Sequence, residues 1–304
     1  MTLSAVIPAT DRRPTLDRVV AAVRAAEAPP DEVIVVDGPQ GLGPAAARNL
    51  GASRATGDVL VFVDADVEVH PDAFTRIRTA FDGDRGLTAV FGSYDDDPAD
   101  GGVVSDYRNL LHHHVHHEAA GVATTFWAGL GAVRRDAFQA AGGFDERRFP
   151  HASIEDIELG MRLARDGARI VLDPAVQGKH LKRWTLAEMA ATDLLRRGVP
   201  WLRLLLEDGR GSRALNLGWR HRLGSGSAVL LLWALARRRA RPALGILVLM
   251  LLLDRDFYEL LLRRRGGRQL AAGVPLHIVH RLVSAAAVPL ALAHHLAARS
   301  KRNS

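Results

Sequence analysis

The chain has 304 residues, 48% hydrophobic and 24% charged, which is globular composition with room for one large domain or one domain plus an appendage. It contains no cysteine, which excludes a disulfide scaffold, thiolate zinc sites, iron–sulfur clusters and a cysteine nucleophile. The net charge of +6 is unevenly spread: acids concentrate before Asp208, whereas the last third carries Arg237 to Arg239 with Arg241 and Arg263 to Arg265 with Arg268, so two regions with different solvents are expected.

Residues 3–9 (LSAVIPA) read as a buried strand, and Leu16, Val19, Val20 and Val23 recur at helical spacing over 15–26. A second apolar run, 32–36, ends at the turn signal Asp37-Gly38-Pro39, and Pro44 opens a helix to Arg54. A third strand, 58–63, ends at Asp64-Ala65-Asp66; a helix from Pro71 to about Phe81 and a strand over 87–94 follow. Helices alternating with near-continuous apolar strands predict an α/β fold with a mostly parallel sheet covered on both faces. Ligands bind such sheets at the carboxyl ends of the strands, where Asp37, Asp64 and Asp66 fall.

An acidic loop (95–100) and a helix over 103–118 come next. A strand is expected over 125–133, then a short helix, a helix over 154–166 and a strand over 169–176. Thr185 with Glu188 forms a capping box opening a helix from Leu186 to Arg197. Apolar runs at 228–236, 243–253 and 282–293 are each shorter than the ~20 residues of a spanning helix. With both arginine clusters cytoplasmic, the run between them does not cross, so a re-entrant hairpin or interfacial helices fit better than clean spans; an extra helical subdomain is the alternative. The clusters flank apolar runs without interleaved aromatics, which points to anionic lipid and away from nucleic acid. Asp11, Arg12 and Arg13 interrupt the start before an apolar segment develops, so the N-terminal part is expected in the cytoplasm.

Asp64 and Asp66 place two carboxylates two residues apart at the ligand edge. They repel unless a cation lies between them, and a hard divalent ion held by one or two carboxylates plus substrate phosphates resolves this. Asp37 either accepts hydrogen bonds from a base or ribose or is a turn aspartate. Ser153-Ile154-Glu155-Asp156 fits a capping box, so Asp156 either folds back on the Ser153 amide or projects toward an acceptor as a general base. His180 is a third metal ligand or an exposed loop histidine. His112, His113, His114, His116 and His117 contain i,i+4 pairs suited to metal, but without a cysteine or an evident third ligand they read as a partly exposed helix.

Together these pieces resemble the family 2 glycosyltransferases of GT-A fold (the nucleotide-diphospho-sugar transferase fold). The carrying residues are Val6-Ile7-Pro8, Val35-Val36-Asp37-Gly38, Ala46-Ala47-Arg48-Asn49 with Gly51, Gly57-Asp58 and Phe62-Val63-Asp64-Ala65-Asp66. Trp127-Ala128-Gly129, Gly142-Gly143-Phe144-Asp145, Glu155-Asp156 with Leu159 and Arg162-Leu163, and His180 complete the set. The likeness covers about residues 3–184, and the tail with Arg255-Asp256-Phe257-Tyr258 is similar to the membrane-associated extensions of bacterial members.

The resemblance implies a transferase domain over 1–210 and a helical membrane-associated region over 211–304. It implies metal-dependent, inverting transfer from a nucleotide sugar to a lipid-linked or glycan acceptor in cell-envelope synthesis, at the cell membrane with the catalytic domain cytoplasmic. Pro8, Asp37 and Arg48 would border the nucleotide. Asp64, Asp66 and His180 would hold Mn2+ or Mg2+ in a DXD-type site. Trp127, Gly129 and Glu155 would face sugar and acceptor, and Asp156 would be the base. Processive members carry Q-x-x-R-W; here His180 stands in place of the glutamine before Arg183-Trp184, which favours transfer of a single sugar. A degenerate nucleotide-binding scaffold at the membrane is the alternative. A nucleotidyltransferase would need a glycine-rich phosphate loop that residues 8–15 lack.

Overall fold

The computed structural model describes residues 1–11, 14–208 and 218–302. The chain divides into two units: Met1–Asp100 with Val115–Lys182, and Gly101–His114 with Arg183–Ser304. Arg12 and Arg13 and the expected 210/211 boundary lie outside the described residues.

The first unit is a sheet with helices. In chain order it runs β1 (Leu3–Pro8), α1 (Leu16–Arg24), β2 (Glu32–Val36), α2 (Pro44–Arg54), β3 (Val59–Val63), β4 (Val67–Val69), α3 (Ala73–Gly83) and β5 (Leu87–Tyr94). Helix α4 (Val103–Glu118) contributes its beginning to the second unit. Then come β6 (Gly121–Ala123), β7 (Leu130–Arg134), α5 (Arg135–Ala140), α6 (Glu155–Arg165) and β8 (Arg169–His180). The sheet order is β2-β1-β3-β7-β5-β8-β4, with β6 also on β8. All five residues of β3 are buried, as a strand covered on both faces requires. α2 starts on Pro44 after Gly43 and lies directly on the sheet, since a Cβ at Gly51 would come within 2.3 Å of Val6 Cγ1.

The sheet is mixed. β2-β1-β3 pair in parallel, β7 runs antiparallel between β3 and β5, and β4 and β6 run antiparallel to β8. The strand expected over 125–133 begins only at Leu130. Residues 125–129 instead form a turn in which the Trp127 indole lies over Gly129: a Cβ there would sit 2.4 Å from the ring. β8 runs to His180, longer than expected, because β5 and β4 pair with its second half.

The second unit is helical. α7 (Leu186–Ala191) opens with the Thr185–Glu188 capping box, passes into a π-helix over Thr192–Gly198, then α8 (Val199–Asp208). α9 (Trp219–Ala236), α10 (Ala240–Leu253) and α11 (Arg255–Arg302) follow. Gly266, at φ 76°, breaks α11 into two helices. Among the described residues, the stretch Arg255–Ser300 is the one helix long and apolar enough to cross a membrane.

Gly160 sets how closely α6 approaches the 125–126 segment, because a Cβ there would lie 2.2 Å from the Phe126 nitrogen. Gly160→Ala is expected to lower the unfolding free energy by about 1–3 kcal/mol in urea titration. Gly83→Ala, with nothing within 4 Å, is expected to leave it unchanged or raised.

Candidate active site

Strand direction gathers the sequence-singled residues on one edge. β1, β2, β3, β5 and β8 point the same way, so Pro8, Asp37, Asp64, Tyr94 and His180 stand at or just past their carboxyl ends. β4 and β7 run the opposite way and start at that edge, which places Asp66 and the Trp127-Ala128-Gly129 turn there too. The turn is tied down by the Asp64 N–H, which donates to the Gly129 carbonyl at 3.0 Å. Asp37 is exposed and Pro8 half-buried, and Pro8 pairs with Val36 beside Asp37.

Arg48, on α2, is 4% exposed. Its guanidinium donates to Asp64 Oδ1 at 2.7 Å and to Glu155 Oε1 at 2.8 Å, and it lies over the Phe144 ring. Burial works against its charge, yet the carboxylates of Asp64, Glu155 and Asp156 hold its pKa above the ordinary arginine value. Asn49 beside it exchanges two hydrogen bonds of 2.9 Å with the Phe144 backbone. The chain reaches Phe144 through Gly142 and Gly143, at φ 78° and 70°, conformations that suit glycine. The Arg-Asn and Gly-Gly-Phe pieces of the sequence are thus one contact.

Asp66 is buried, and its Oδ2 lies 3.7 Å from Nε2 of the buried His180. β4–β8 pairing sets this meeting, because His180 is the register partner of Val67. The imidazole is stacked on Tyr94, with ring centroids 4.3 Å apart and planes at 12°. Trp127 packs edge-on to Tyr94 and to His116. Asp66 and His180 are therefore together, whereas Asp64 is held by Arg48. Among the described residues no group of three or more His, Cys, Asp and Glu converges as a preformed metal site.

Asp156 does not fold back on Ser153. Its Oδ2 accepts the Ala128 N–H at 3.1 Å and Oδ1 accepts the Ile157 N–H at 2.8 Å. The Ser153 N–H goes instead to Glu155 Oε2 at 2.9 Å. Glu155 is buried with both oxygens engaged, one by Arg48 and one by Ser153. Asp156 is half-buried and bound to the 127–129 turn. Burial first, then the neighbouring Glu155 charge, raise its pKa to about 6, against the opposing pull of Arg48 and the two amides. Each carboxylate oxygen keeps a second lone pair, so the group retains acceptor capacity at a pKa near neutrality, as a general base needs.

In the histidine run, His116 Nδ1 bonds the Gly92 carbonyl at 2.9 Å and its ring packs against Phe91, while the His114 ring meets Phe257. Trp184 is buried, donates its backbone N–H to Ser105 Oγ at 2.8 Å and receives Arg108 over its ring. Sequence reasoning missed Tyr94 and the Ala128 amide. Tyr94 ends β5, so the strand-end rule that picked out Asp37 and Asp64 also covered it; a backbone amide leaves no mark in a sequence.

Residues 38–142 match the family described as glycosyl transferase family 2. In fold, the chain is similar to a mannosyltransferase from Pyrobaculum calidifontis solved with GDP-Man and Mn2+, with TM-score 0.55 and 17% identity over 97% of this chain and 86% of that one. GalNAc-T7, solved with UDP, GalNAc and Mn2+, aligns at TM-score 0.48 and 16% identity over 75% of this chain and 51% of that one. Human polypeptide N-acetylgalactosaminyltransferase 15 is 54% identical over 44 residues, 14% of this chain; the match spans 7% of that protein's length.

Arg48→Met is expected to destabilise the protein by about 3–5 kcal/mol, since it leaves the buried Glu155 carboxylate without its cation. Chemical denaturation reads this, and Arg48→Lys is expected to recover only part of the loss because one ammonium replaces a two-armed donor.

Proposed function

We propose that this chain, whose residues 38–142 match the glycosyl transferase family 2 model, transfers a single sugar from a nucleotide diphosphate to an acceptor hydroxyl or phosphate, with inversion at the anomeric carbon. The acceptor is lipid-linked, the product belongs to a cell-envelope glycan or glycolipid, and the enzyme works at the membrane. By function, residues 1–210 are taken as the cytoplasmic transferase domain and 211–304 as the membrane-associated region, a division that differs from the two structural units. The observation that carries the reading is one sheet edge holding Asp66 with His180, and Asp156 bonded to the 127–129 turn. The fold shared with the Pyrobaculum mannosyltransferase supports it.

Pro8 and Asp37 border the nucleoside, and Asp64, fixed by Arg48, faces the ribose side. A carboxylate and an imidazole suit Mn2+ better than Mg2+, so Asp66 and His180 fit as its ligands, with Asp64 a further contact. The cation, when bound, neutralises charge on the departing diphosphate. Trp127 and Gly129 shape the sugar and acceptor side. Glu155, adjoining the acceptor side, acts through Arg48 and the α6 start by keeping Asp156 in place. Asp156 takes the proton from the acceptor hydroxyl as that oxygen bonds the anomeric carbon; the bond to the diphosphate oxygen breaks on the opposite face, and the nucleoside diphosphate leaves.

Asp156→Asn is expected to lower transfer of radiolabelled sugar into organic-extractable membrane product by about 10²–10⁴-fold, with nucleoside diphosphate affinity unchanged. Full activity in that variant overturns the base assignment. Because the base works only unprotonated, the wild-type rate with a hydroxyl acceptor is expected to rise with pH through about 6 and then level off. A rate flat across that range contradicts it.

A further inference from the structure

The second unit encloses a few charged groups and leaves a row of leucines exposed along one helical hairpin. Inside it, Arg108 pairs with Asp193 at 2.7 Å, with both side chains under 10% exposed. His280 Nδ1 meets the same Asp193 at 3.0 Å. Arg281 pairs with Asp254 at 2.6 Å. On its outside, Leu230, Leu232, Leu235, Leu244 and Leu252 are 56–64% exposed and Trp233 47%. α9 and α10 meet through small residues, Ala228, Ala234 and Ala243, with Leu231 and Met250. A helical subdomain in water rarely leaves so many large apolar side chains together on its outside. Small residues at helix contacts, ions inside and leucines outside are the arrangement of helices facing lipid.

Helix length and charge then set the depth. The uncharged parts of α9 and α10, residues 223–236 and 242–253, are about 21 and 18 Å long at 1.5 Å per residue, short of the ~30 Å hydrocarbon core. Charges bound both: Arg220 and Arg222 before α9's apolar part, Arg237, Arg238, Arg239 and Arg241 between the helices, and Asp254 to Asp256 after α10. A crossing hairpin would carry four arginines into hydrocarbon. Arg238 holds φ 53°, a left-handed position that favours glycine; Arg238 and Arg239 N–H close α9 onto Leu235 and Ala234. The turn therefore carries an arginine where glycine would be less strained. Arg239 lies 5.1 Å over the Trp233 ring, which puts cation and indole at one level, as at a membrane interface.

We infer, resting on the membrane reading above, that the α9–α10 hairpin is a monotopic anchor lying in the interface of an anionic bilayer. Leu230, Leu232, Leu235, Leu244 and Leu252 enter the acyl layer, and Arg237, Arg238, Arg239 and Arg241 rest on lipid phosphates. Both ends of the hairpin stay on one side.

The full chain is tested by flotation with vesicles of phosphatidylcholine alone and of phosphatidylcholine with phosphatidylglycerol in equal parts. Wild type is expected to float with the anionic vesicles. Serine at the five leucines is expected to weaken binding more than about tenfold. Glutamine at the four arginines is expected to abolish the preference for anionic lipid. Retained nucleotide binding shows that the variants are folded. Wild type that binds no vesicle overturns the membrane reading and the anchor together; leucine variants that float like wild type overturn the anchor alone. The absence of cysteine permits single-cysteine probes. On vesicle-bound protein, a membrane-impermeant maleimide is expected to label Arg238→Cys as it labels Ser53→Cys. A polarity-sensitive dye on Leu232→Cys is expected to shift to the blue on binding. Protection at 238 means the hairpin crosses, and a dimer in solution with no dye shift on vesicles means a second copy covers the leucines; either overturns the anchor.

Discussion

Three elements that frame the site converge on one guanidinium with almost no water around it. Arg48 projects from α2, holds Asp64 at the end of β3, and holds Glu155 at the start of α6. A buried cation is tolerable only when its charge is met, and the two carboxylates that meet it come from residues 16 and 107 positions away. The fold has to close before the charge is satisfied, so forming the pair and forming the edge are one event. Its consequence is positional. Asp64 is fixed beside the 127–129 turn through its own amide, and α6 is fixed so that Asp156 reaches the same turn from the other side. The neighbouring Glu155 charge, left in place by this arrangement, helps raise the Asp156 pKa. Stability and acid–base character at the edge thus derive from the same cluster of charges.

The two units differ most in the apolar surface they leave exposed. The first buries a cluster of aliphatic strand residues such as Ile7, Val61 and Leu130 and gathers Asp37, Asp64 and Asp66 at one edge of its sheet. The second buries ion pairs and histidines and presents leucines. Its π-helix is part of this, because Asp193 within it accepts from both Arg108 and His280. Such a network, satisfied on each side, fixes helix register where apolar packing alone would be permissive.

Much of the sheet was legible because its strands are near-continuous apolar runs ended by Gly, Pro and Asp. The spans of β2, α2, β5 and α4 agree with their apolar patterns to the residue. The placement of Asp37, Asp64 and Asp66 at one sheet edge followed from one topological rule. What stayed hidden depends on partners distant in sequence. β4 and β6 are three residues each and exist by pairing with β8. The Ser153–Asp156 pattern admitted two readings, and only the approach of the Ala128 amide separates them. In the C-terminal region the sequence displayed apolar runs and arginine clusters, but the inward turn of Arg281 and His280 has no local signature, since their partners Asp254 and Asp193 lie 27 and 87 residues away.

The central claim is that Asp66 and His180 make this edge a metal-assisted nucleoside diphosphate site. Calorimetric titration of the full chain with GDP and with UDP, in Mn2+ and in chelator, beside Asp66→Ala and His180→Ala, tests it most directly. The account predicts binding of one nucleotide only with Mn2+, lost in Asp66→Ala and weakened in His180→Ala. Binding that ignores both the metal and Asp66, or no binding of either nucleotide, would contradict it.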